Sequence, residues 1–518
     1  MITEDQSATI SFLKDALSLN AAPVEMMDTH ISRIFLVGQR AYKMKRAVKL
    51  PYADFSSAEK RLAACRKEVE LNTLTAPGIY LGVKTVTREN SGDLALGGEG
   101  QLLDALVEMK RFDQSLLLDQ IAISGGLTPT MVASLARAIV KFHRLAPIIY
   151  GSSGTANMAA VLKVNEDGFA TSHVFSEKEV HDLTAAFNRR LTQLANLLDR
   201  RERSGKVRRC HGDLHLRNIF LLEGEPCLFD CIEFNDQIAT TDILYDLAFL
   251  LMDLWHRGHL ELANLVMNRY LDETEEDDGF GALPFFIAVR AAVRARVIAT
   301  QAEDAGDLAT TFAGEARSYF QLAQSLLQPA AGQLVAIGGL SGSGKSTLAE
   351  TLAPRIGPAP GARIIESDRI RKAMHGVPPE TRLPQAAYRP EISAKVYQEM
   401  VWRVRLILAE GGAAVADAVF DKRHHRQMFE KAAAEGRHPF SAFWLEADPA
   451  LLRQRVAARV GGPSDATVEI LAHQLSQETD DIQWLRMDAT QPAETLCQDI
   501  LRIIHGQRLV SDSMSESV

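Results

Sequence analysis

The stretch HGDLHLRNIFL, residues 211–221, places Asp213 five residues before Asn218, directly ahead of an apolar run. Asp230 follows Asn218 by twelve residues, after the turn sequence LLEGEP and the apolar CLF. Transfer of a phosphoryl group to an alcohol needs a carboxylate that orients the hydroxyl, together with oxygen ligands for Mg²⁺. These three side chains provide both, so the stretch predicts a phosphoryl-transfer loop followed by a β-hairpin.

Upstream sequence predicts the rest of a nucleotide site of the same kind. AYKMK carries Lys43 and Lys45 on one face of a predicted strand, because side chains alternate along a strand. CRKEVELNTL carries Glu68 on the next predicted helix. A kinase-like site needs a strand lysine on the phosphates and a helical acid that holds it. The local pattern favours Lys43 with Glu68, and Lys45 stays open as the alternative.

HGDLHLRN and LFDCIEF together resemble the catalytic loop and metal-binding segment of aminoglycoside phosphotransferases and related small-molecule kinases. The protein-kinase version is H-R-D-x-x-x-x-N followed by D-F-G. Here Gly212 replaces the Arg, and FDCIEF replaces D-F-G. The resemblance implies an α+β, bilobal, protein-kinase-like domain that uses ATP and Mg²⁺. It implies a catalytic base (Asp213), Mg²⁺ ligands (Asn218, Asp230), a loop-organising histidine (His211), a bracing helical acid (Asp246) and a hinge at 107–112.

Other residues of this first half allow competing interpretations. Asp213 and Asn218 are also common turn and cap residues. The acidic run at 272–279 is most simply a solvated loop, and its functional alternative is a lid over a cationic substrate. Arg290 and Arg294 stand four apart and predict either a grip on an anionic substrate or surface ion pairs. The charge of the substrate therefore stays open.

A second stretch, GGLSGSGKST at 338–347, fits the phosphate-binding pattern G-x-x-x-x-G-K-[ST]. The apolar LVAIGGL precedes it and the helical STLAETLAPRI follows, as a strand–loop–helix phosphate cradle requires. Lys345 is expected on the β/γ-phosphates and the Ser346 hydroxyl on Mg²⁺. The residues expected to bind ATP here are Gly339, Ser341, Gly342, Ser343, Gly344, Lys345, Ser346 and Thr347.

Downstream, Asp368 and Arg371 follow the next predicted strand and Asp417 ends the one after it. Arg455 and Arg459 stand four apart ahead of a Gly-Gly-Pro break, as in a mobile lid. This pattern resembles P-loop kinases that include polynucleotide 5′-hydroxyl kinase, gluconate-kinase-like enzymes and zeta toxins. The resemblance implies Asp368 as catalytic base beside Lys345, and the other four as substrate, metal or lid residues. Cap, strand-end and solvent-facing roles are the simpler alternatives.

The whole chain has 518 residues and a net charge of −9, without the basic excess of a duplex-binding protein. Its five cysteines are an odd number without CxxC pairs, which favours a reducing compartment and a cytoplasmic location. The sequence shows no secretory signal and no apolar run long enough to span a membrane. Alternating strand and helix patterns after residue 330 predict an α/β P-loop fold with a parallel sheet.

The sequence thus predicts a kinase-like domain over 1–328, a P-loop domain over 332–508 and a flexible tail over 509–518. The favoured function is a bifunctional ATP- and Mg²⁺-dependent phosphotransferase that acts on hydroxyl groups of small molecules. One alternative is a nucleotide-gated regulator in which one domain is a switch. Another is a polynucleotide 5′-hydroxyl kinase in the C-terminal domain, although the composition argues against nucleic acid. The oligomeric state and any coupling of the two sites stay open.

Overall fold

The computed structural model describes residues 3–18, 23–50, 52–151, 153–303, 306–328, 332–459, 461–477 and 481–515, with side chains up to residue 506. Compact packing divides the chain into two units. Unit 1 comprises 1–157 and 198–250, and unit 2 comprises 158–197 and 251–518. The predicted division near residue 330 stays a prediction. The final helix includes 509–515 of the predicted tail, and residues 516–518 lie outside the described residues.

The strands before residue 330 are β1 (Glu25–Asp28), β2 (Ser32–Val37), β3 (Arg40–Lys45), β4 (Lys49–Leu50), β5 (Ala53–Asp54), β6 (Tyr80–Arg88), β7 (Leu94–Leu96), β8 (Gln101–Lys110), β9 (Val207–Arg209), β10 (Ile219–Leu222), β11 (Glu225–Leu228) and β12 (Thr240–Asp242). The helices there are α1 (Ser7–Ser18), α2 (Ala58–Thr75), α3 (Leu118–Ile123), α4 (Pro129–Leu145), α5 (Gly154–Ala170), α6 (Glu177–Arg203), α7 (Asp236–Ala239), α8 (Ile243–His256), α9 (Leu260–Thr274), α10 (Leu283–Glu303) and α11 (Ala309–Leu326).

After residue 330 the strands are β13 (Gln333–Gly339), β14 (Arg363–Glu366), β15 (Ala413–Asp417), β16 (Phe440–Glu446) and β17 (Leu485–Asp488). The helices are α12 (Lys345–Leu352), α13 (Ser367–Met374), α14 (Pro390–Ala409), α15 (Arg423–Glu435), α16 (Pro449–Ala457), α17 (Val468–Ser476) and α18 (Ala493–Ser515). The alternation of strand and helix predicted for this part is therefore confirmed.

Unit 1 is built on a six-stranded antiparallel sheet in the order β1-β2-β3-β8-β6-β7. The hairpin of β2 and β3 turns at Gly38, whose φ of 52° lies in the left-handed region that glycine tolerates. Helix α2 starts at the N-cap Ser57 and packs on β8 and β6, where Cys65 shares a buried core cluster with Val107 and Tyr80. This sheet places β3 beside α2 and so brings the predicted lysines to the predicted helical acid.

The predicted second hairpin of this unit joins β10 and β11. It turns at Glu223 and Gly224, both at positive φ (53° and 87°), as a two-residue turn between twisted strands requires. The hairpin follows the short 3₁₀ turn Leu216–Asn218, so the segment around Asp213 leads directly into it. The predicted protein-kinase-like α+β fold is thus confirmed.

Unit 2 contains a five-stranded parallel sheet in the order β14-β15-β13-β16-β17. Every residue of the central strand β13 is buried, which explains its continuous apolar sequence. Its core joins Val335 and Ile337 to Leu348 of α12 and Ile500 of α18. The chain leaves β13 at Gly339 and enters α12 at Lys345, so the glycine-rich loop lies at the carboxyl end of the sheet.

Candidate active sites

The two lysines of β3 share one glutamate but differ in what else they meet. Lys43 Nζ lies 2.8 Å from Glu68 Oε1 and 2.6 Å from Asp230 Oδ1. Lys45 Nζ lies 2.5 Å from Glu68 Oε2 and also pairs with Glu233. The side chain of Lys43 is 12% exposed, whereas that of Lys45 is fully buried. Lys43 therefore meets the predicted metal ligand Asp230, whereas Lys45 is fully buried and meets Glu233 of the same segment.

Electrostatics keeps this cluster ionised despite its burial. Burial alone would lower the pKa of Lys43, but Asp230 and Glu68 outweigh it and hold that pKa well above its usual value. Burial would likewise raise the pKa of Glu68, yet the two lysines bring it down to about 2. A buried charge is tolerated when it is paired in this way. The cluster therefore presents an ammonium group beside Asp230 at neutral pH.

The catalytic-loop candidates lie within hydrogen-bonding distance of one another. Asn218 Nδ2 donates to both the backbone oxygen and Oδ2 of Asp213, each at 2.9 Å. His215 Nε2 lies 3.3 Å from the same Oδ2. Phe229 N donates to Asn218 O at 3.1 Å, and Asp230 is the next residue after Phe229. The backbone therefore brings Asp230 close to Asn218. The side chains of Asp213 and Asp230 are 41% and 38% exposed, so both can be reached by solutes.

The carboxylate of Asp246, on α8, binds the backbone at the start of this loop. Its fully buried carboxylate accepts hydrogen bonds from His211 N at 3.2 Å and Gly212 N at 2.8 Å, and it contacts His143 Nε2 at 3.1 Å. His211 Nε2 in turn contacts Phe229 O at 2.9 Å. Burial lowers the pKa of His211 and so favours its neutral ring. In that form Nδ1 accepts from Asp213 N at 3.3 Å while Nε2–H donates to Phe229 O. Asp246 and His211 therefore both contact the backbone of this loop or of the segment that follows it.

Sequence reasoning missed three residues that position the metal segment. Glu233 pairs with Lys45, Tyr80 Oη accepts from Asp230 N at 3.2 Å, and Asn72 Oδ1 accepts from Cys231 N at 2.9 Å. These contacts surround a strained backbone position, because Asp230 has a φ of 61° in the left-handed region. Glu233 could have been suspected from its place in FDCIEF, whereas Asn72 and Tyr80 carry no signal in the sequence.

The glycine-rich loop has the shape of an anion cradle. Gly342 and Gly344 have φ values of 86° and 91°, which only glycine adopts readily. A Cβ at Gly339 would lie 2.7 Å from Ser343 Oγ, so the close approach of the loop also requires glycine there. Lys345 Nζ donates to Leu340 O at 3.1 Å and thus folds back over the loop. The residues present fit a bound triphosphate.

Three carboxylates gather at the carboxyl ends of β14 and β15, beside Lys345. Glu366 and Asp417 are register partners on the two strands, and Asp368 lies in the first turn of α13. Ser346 Oγ hydrogen-bonds Asp417, whose buried Oδ2 has no hydrogen-bond partner among the residues that the structure describes. Burial raises the pKa of all three, that of Glu366 to about 8. The unpaired carboxylate oxygen beside a hydroxyl fits a Mg²⁺ ion.

The predicted arginines lie in different settings. Arg371 Nη1 donates to Ala387 O at 2.8 Å, and its guanidinium lies 4.6 Å from the ring centroid of Tyr388. Arg455 donates to Ala489 O at 2.9 Å. Helix α16 ends before Arg459, which is exposed. Burial lowers the pKa of Lys345 and the charge of Arg459 adds to this, so Arg459 lies within electrostatic reach of the loop.

The residues directly after the Gly-Gly-Pro break contact α13, a contact that sequence reasoning missed. Asp465 accepts hydrogen bonds from Lys372 Nζ at 2.7 Å, Tyr388 Oη at 2.6 Å and Leu383 N at 2.8 Å. The neighbouring Ser464 hydrogen-bonds Asp368. Glu366 was missed as well, although ESD at 366–368 places a second acid beside Asp368.

Two surface interpretations of the sequence were wrong. The acidic run at 272–279 is not a solvated loop, because Asp277 is only 2% exposed and contacts Arg363 Nε at 2.7 Å. Arg290 is 4% exposed, so it does not form a surface ion pair. The local sequence shows neither burial. A charged residue is buried only when it meets a partner, and that partner can lie far away in the sequence.

The described helices include none that combines the length and the apolar character needed to cross a bilayer. Over 480 residues the chain is 28% identical to uncharacterized proteins of Mycobacterium tuberculosis and Mycobacterium bovis. The alignment covers 91% of this chain and 93% of each relative.

Two solved structures each align with part of the chain. A choline/ethanolamine kinase family protein from Mesorhizobium loti is 13% identical, with a TM-score of 0.39, and covers 62% of this chain and 95% of its own. A gluconokinase from Sinorhizobium meliloti is 22% identical, with a TM-score of 0.25, and covers 37% of this chain and 98% of its own. At these scores the likeness adds nothing to what the strand order shows.

Two family models match separate parts of the chain. Residues 99–286 match the phosphotransferase enzyme family, and residues 334–479 match an AAA domain. These ranges contain the loop around Asp213 and the cradle around Lys345, respectively. The chain therefore carries a protein-kinase-like phosphotransferase domain followed by a P-loop domain of kinase-like fold.

Proposed function

We propose that the protein is a bifunctional phosphotransferase in which each domain moves the γ-phosphoryl group of ATP to a hydroxyl group of a small molecule. The observation that carries the proposal is that the fold brings the residues predicted for each site into contact with one another. Lys43, Glu68, Asp213, Asn218 and Asp230 form one set. The cradle at 339–347 with its strand-end carboxylates forms the other.

In the first site, Asp213 is the proposed base for the acceptor hydroxyl. The hydrogen bond from Asn218 and the nearby His215 fix its carboxylate, and its exposed edge can accept the proton. Lys43, held by Glu68, would neutralise phosphate charge. Asn218 and Asp230 would hold Mg²⁺, which when bound neutralises charge on the β- and γ-phosphates. Catalysis in this scheme rests on positioning and electrostatics.

In the second site, the backbone N–H groups of the cradle and Lys345 would bind the phosphates. Ser346 and Asp417 would hold Mg²⁺ there. Asp368, whose pKa is raised by burial, is the proposed base, and Arg371 and Arg459 are the proposed acceptor-side and lid cations. A raised pKa brings a carboxyl group nearer to the pH at which it can both take up and release a proton.

The proposed setting is the cytoplasm, which accords with five cysteines that are all free thiols. The proposed partners are small hydroxylated molecules and MgATP. A nucleotide-gated switch would instead bind ATP without yielding a phosphorylated product, and a polynucleotide kinase would label the 5′ end of an oligonucleotide. These outcomes separate the alternatives from the proposal.

The test is a panel of hydroxylated compounds incubated with MgATP, with ADP release and phosphorylated product measured together. Asp213→Asn should remove one group of products and Lys345→Ala another, each by about 10²-fold or more. Asp15→Asn, at an exposed position of α1, is the matched control for Asp213→Asn and should leave both groups of products unchanged. If neither active-site substitution lowers any turnover, the proposal is wrong.

A further inference from the structure

Helix α9 covers the edge of the parallel sheet next to the cradle. Strand β14 is at one end of the sheet order, so one side of its backbone has no neighbouring strand. Asn268 Oδ1 accepts from Ile364 N at 2.8 Å, and Asn264 Nδ2 donates to Ala362 O at 3.0 Å and Pro360 O at 2.9 Å. Both asparagines are at most 2% exposed. A segment that precedes the P-loop domain in sequence therefore satisfies the open edge of its sheet.

Buried ion pairs fix the same helix to β14. Arg363, at the start of β14, lies 2.6 Å from Asp272 Oδ1 and 2.7 Å from Asp277 Oδ1, and its side chain is 2% exposed. Burial would raise the pKa of Asp272, but the guanidinium groups of Arg363, Arg369 and Arg269 hold it below its usual value. The acidic run thus supplies the anions that these arginines need inside the protein.

One of these contacts reaches the candidate active site itself. Asp272 Oδ2 lies 3.5 Å from Arg369 Nη1, and Arg369 Nε donates to Glu366 Oε2 at 2.9 Å. Glu366 is the register partner of Asp417 and lies two residues before Asp368. The guanidinium of Arg369 therefore links the carboxylate of Asp272 to Glu366 at the end of β14, two residues before Asp368.

A second contact reaches the cradle helix. Arg269 Nη2 lies 2.6 Å from Glu350 Oε1 on α12, and Arg269 Nη1 lies 3.3 Å from Asp272 Oδ2. The same stretch of α9 thus contacts both the helix that follows the glycine-rich loop and the strand that carries the acceptor-side acids. Residues 269 and 272 are one helical turn apart, so a single turn makes both contacts.

We propose that Asp272 is a positioning residue of the P-loop site: it holds Arg369 against Glu366 and so fixes the end of β14 from which Asp368 projects. The site then includes a residue from before the predicted division near residue 330. This inference rests on the proposed phosphotransfer activity of the P-loop domain. Asp272 acts through Arg369 and does not itself meet the phosphates in this scheme.

The test uses full-length protein with Asp213→Asn as the parent, so that the first site is silent, and MgATP hydrolysis with water as acceptor. Asp272→Asn should lower kcat by about 10-fold or more and leave KM for ATP within about twofold, because the described ion pairs of Asp272 are with Arg363, Arg369 and Arg269, which lie outside the glycine-rich loop. Arg369→Gln should have the same effect. The double variant should lose less than the product of the two single losses, because Asp272 and Arg369 contact each other. Asp272→Glu should restore part of kcat.

Glu275→Gln is the matched control, because it removes an acid from the same turn that is 67% exposed and pairs only with Arg403 among the described ion pairs. It should hydrolyse ATP at the parent rate. Parent-like kcat in Asp272→Asn and Arg369→Gln, or losses that multiply in the double variant, would overturn the inference. If Asp272→Asn does not fold, Arg369→Gln decides alone, since Arg369 is 15% exposed. Unchanged hydrolysis in Lys345→Ala would instead overturn the proposed function, and this inference with it.

Discussion

Replacing each lysine of β3 in turn separates a structural role from a functional one. Lys45→Met removes the fully buried cation that Glu233, 3% exposed, contacts, and leaves Glu68 with Lys43 alone. Breaking a buried ion pair from one side costs about 3–5 kcal/mol, because the remaining charge has no partner. For a unit of roughly 200 residues, each kcal/mol lowers Tm by about 2–4 °C, so Tm should fall by about 6–20 °C.

Lys43→Met should behave in the opposite way. Its other partner, Asp230, is 38% exposed and can be hydrated, so the loss of stability is smaller while nucleotide binding at the first site is lost. The assay is differential scanning calorimetry together with ATP binding. Lys84→Met is the control, because Lys84 is 47% exposed and lies 3.7 Å from Glu108. If Lys45→Met melts no earlier than the control, or if Lys43→Met is the less stable variant, the division of roles is wrong.

Three further perturbations test separate parts of the structure. Asp246→Asn should lower first-site kcat by about 10- to 100-fold, and leave Lys345-dependent turnover unchanged, because the loop loses its charged acceptor. Burial lowers the pKa of His425, which stacks on Tyr397, to about 4. The pKa of a histidine in the unfolded chain is about 6.5. The neutral His425 ring therefore contributes its full share of the free energy of unfolding above that pH, and the contribution is lost as the pH falls from about 6.5 to about 4. Urea midpoints of His425→Gln should vary less over this window, and equal variation would contradict the assignment. Burial raises the pKa of Cys65 to about 12 and that of Cys231 further, so both should resist alkylation at pH 8 until denaturant is added.

Short sequence patterns were enough to select the candidate residues of both sites. Asp213 and Asn218 lie five residues apart in one loop, and the glycines of the phosphate cradle lie within six residues of one another. Strand alternation was enough to place Lys43 and Lys45 on one face. Such features depend on neighbours in the chain, so they appear in the sequence itself.

Contacts between distant segments could not be predicted in this way. Asn72 holds Cys231 across 159 residues, and Asp272 reaches Arg363 across 91. Nothing near Asp272 marks it as buried, because an acidic run is usually solvated and becomes buried only if cations from elsewhere meet it. Arg459 shows the same limit: its spacing from Arg455 fits one helix, but α16 ends before it.

The central claim is that one chain holds two separate MgATP sites. Isothermal titration of the full-length protein with a non-hydrolysable ATP analogue and Mg²⁺ tests it most directly. Two equivalents should bind to the unchanged protein, one to Lys43→Met, one to Lys345→Ala, and none to the double variant. A single equivalent in the unchanged protein, or two in either single variant, would contradict the account.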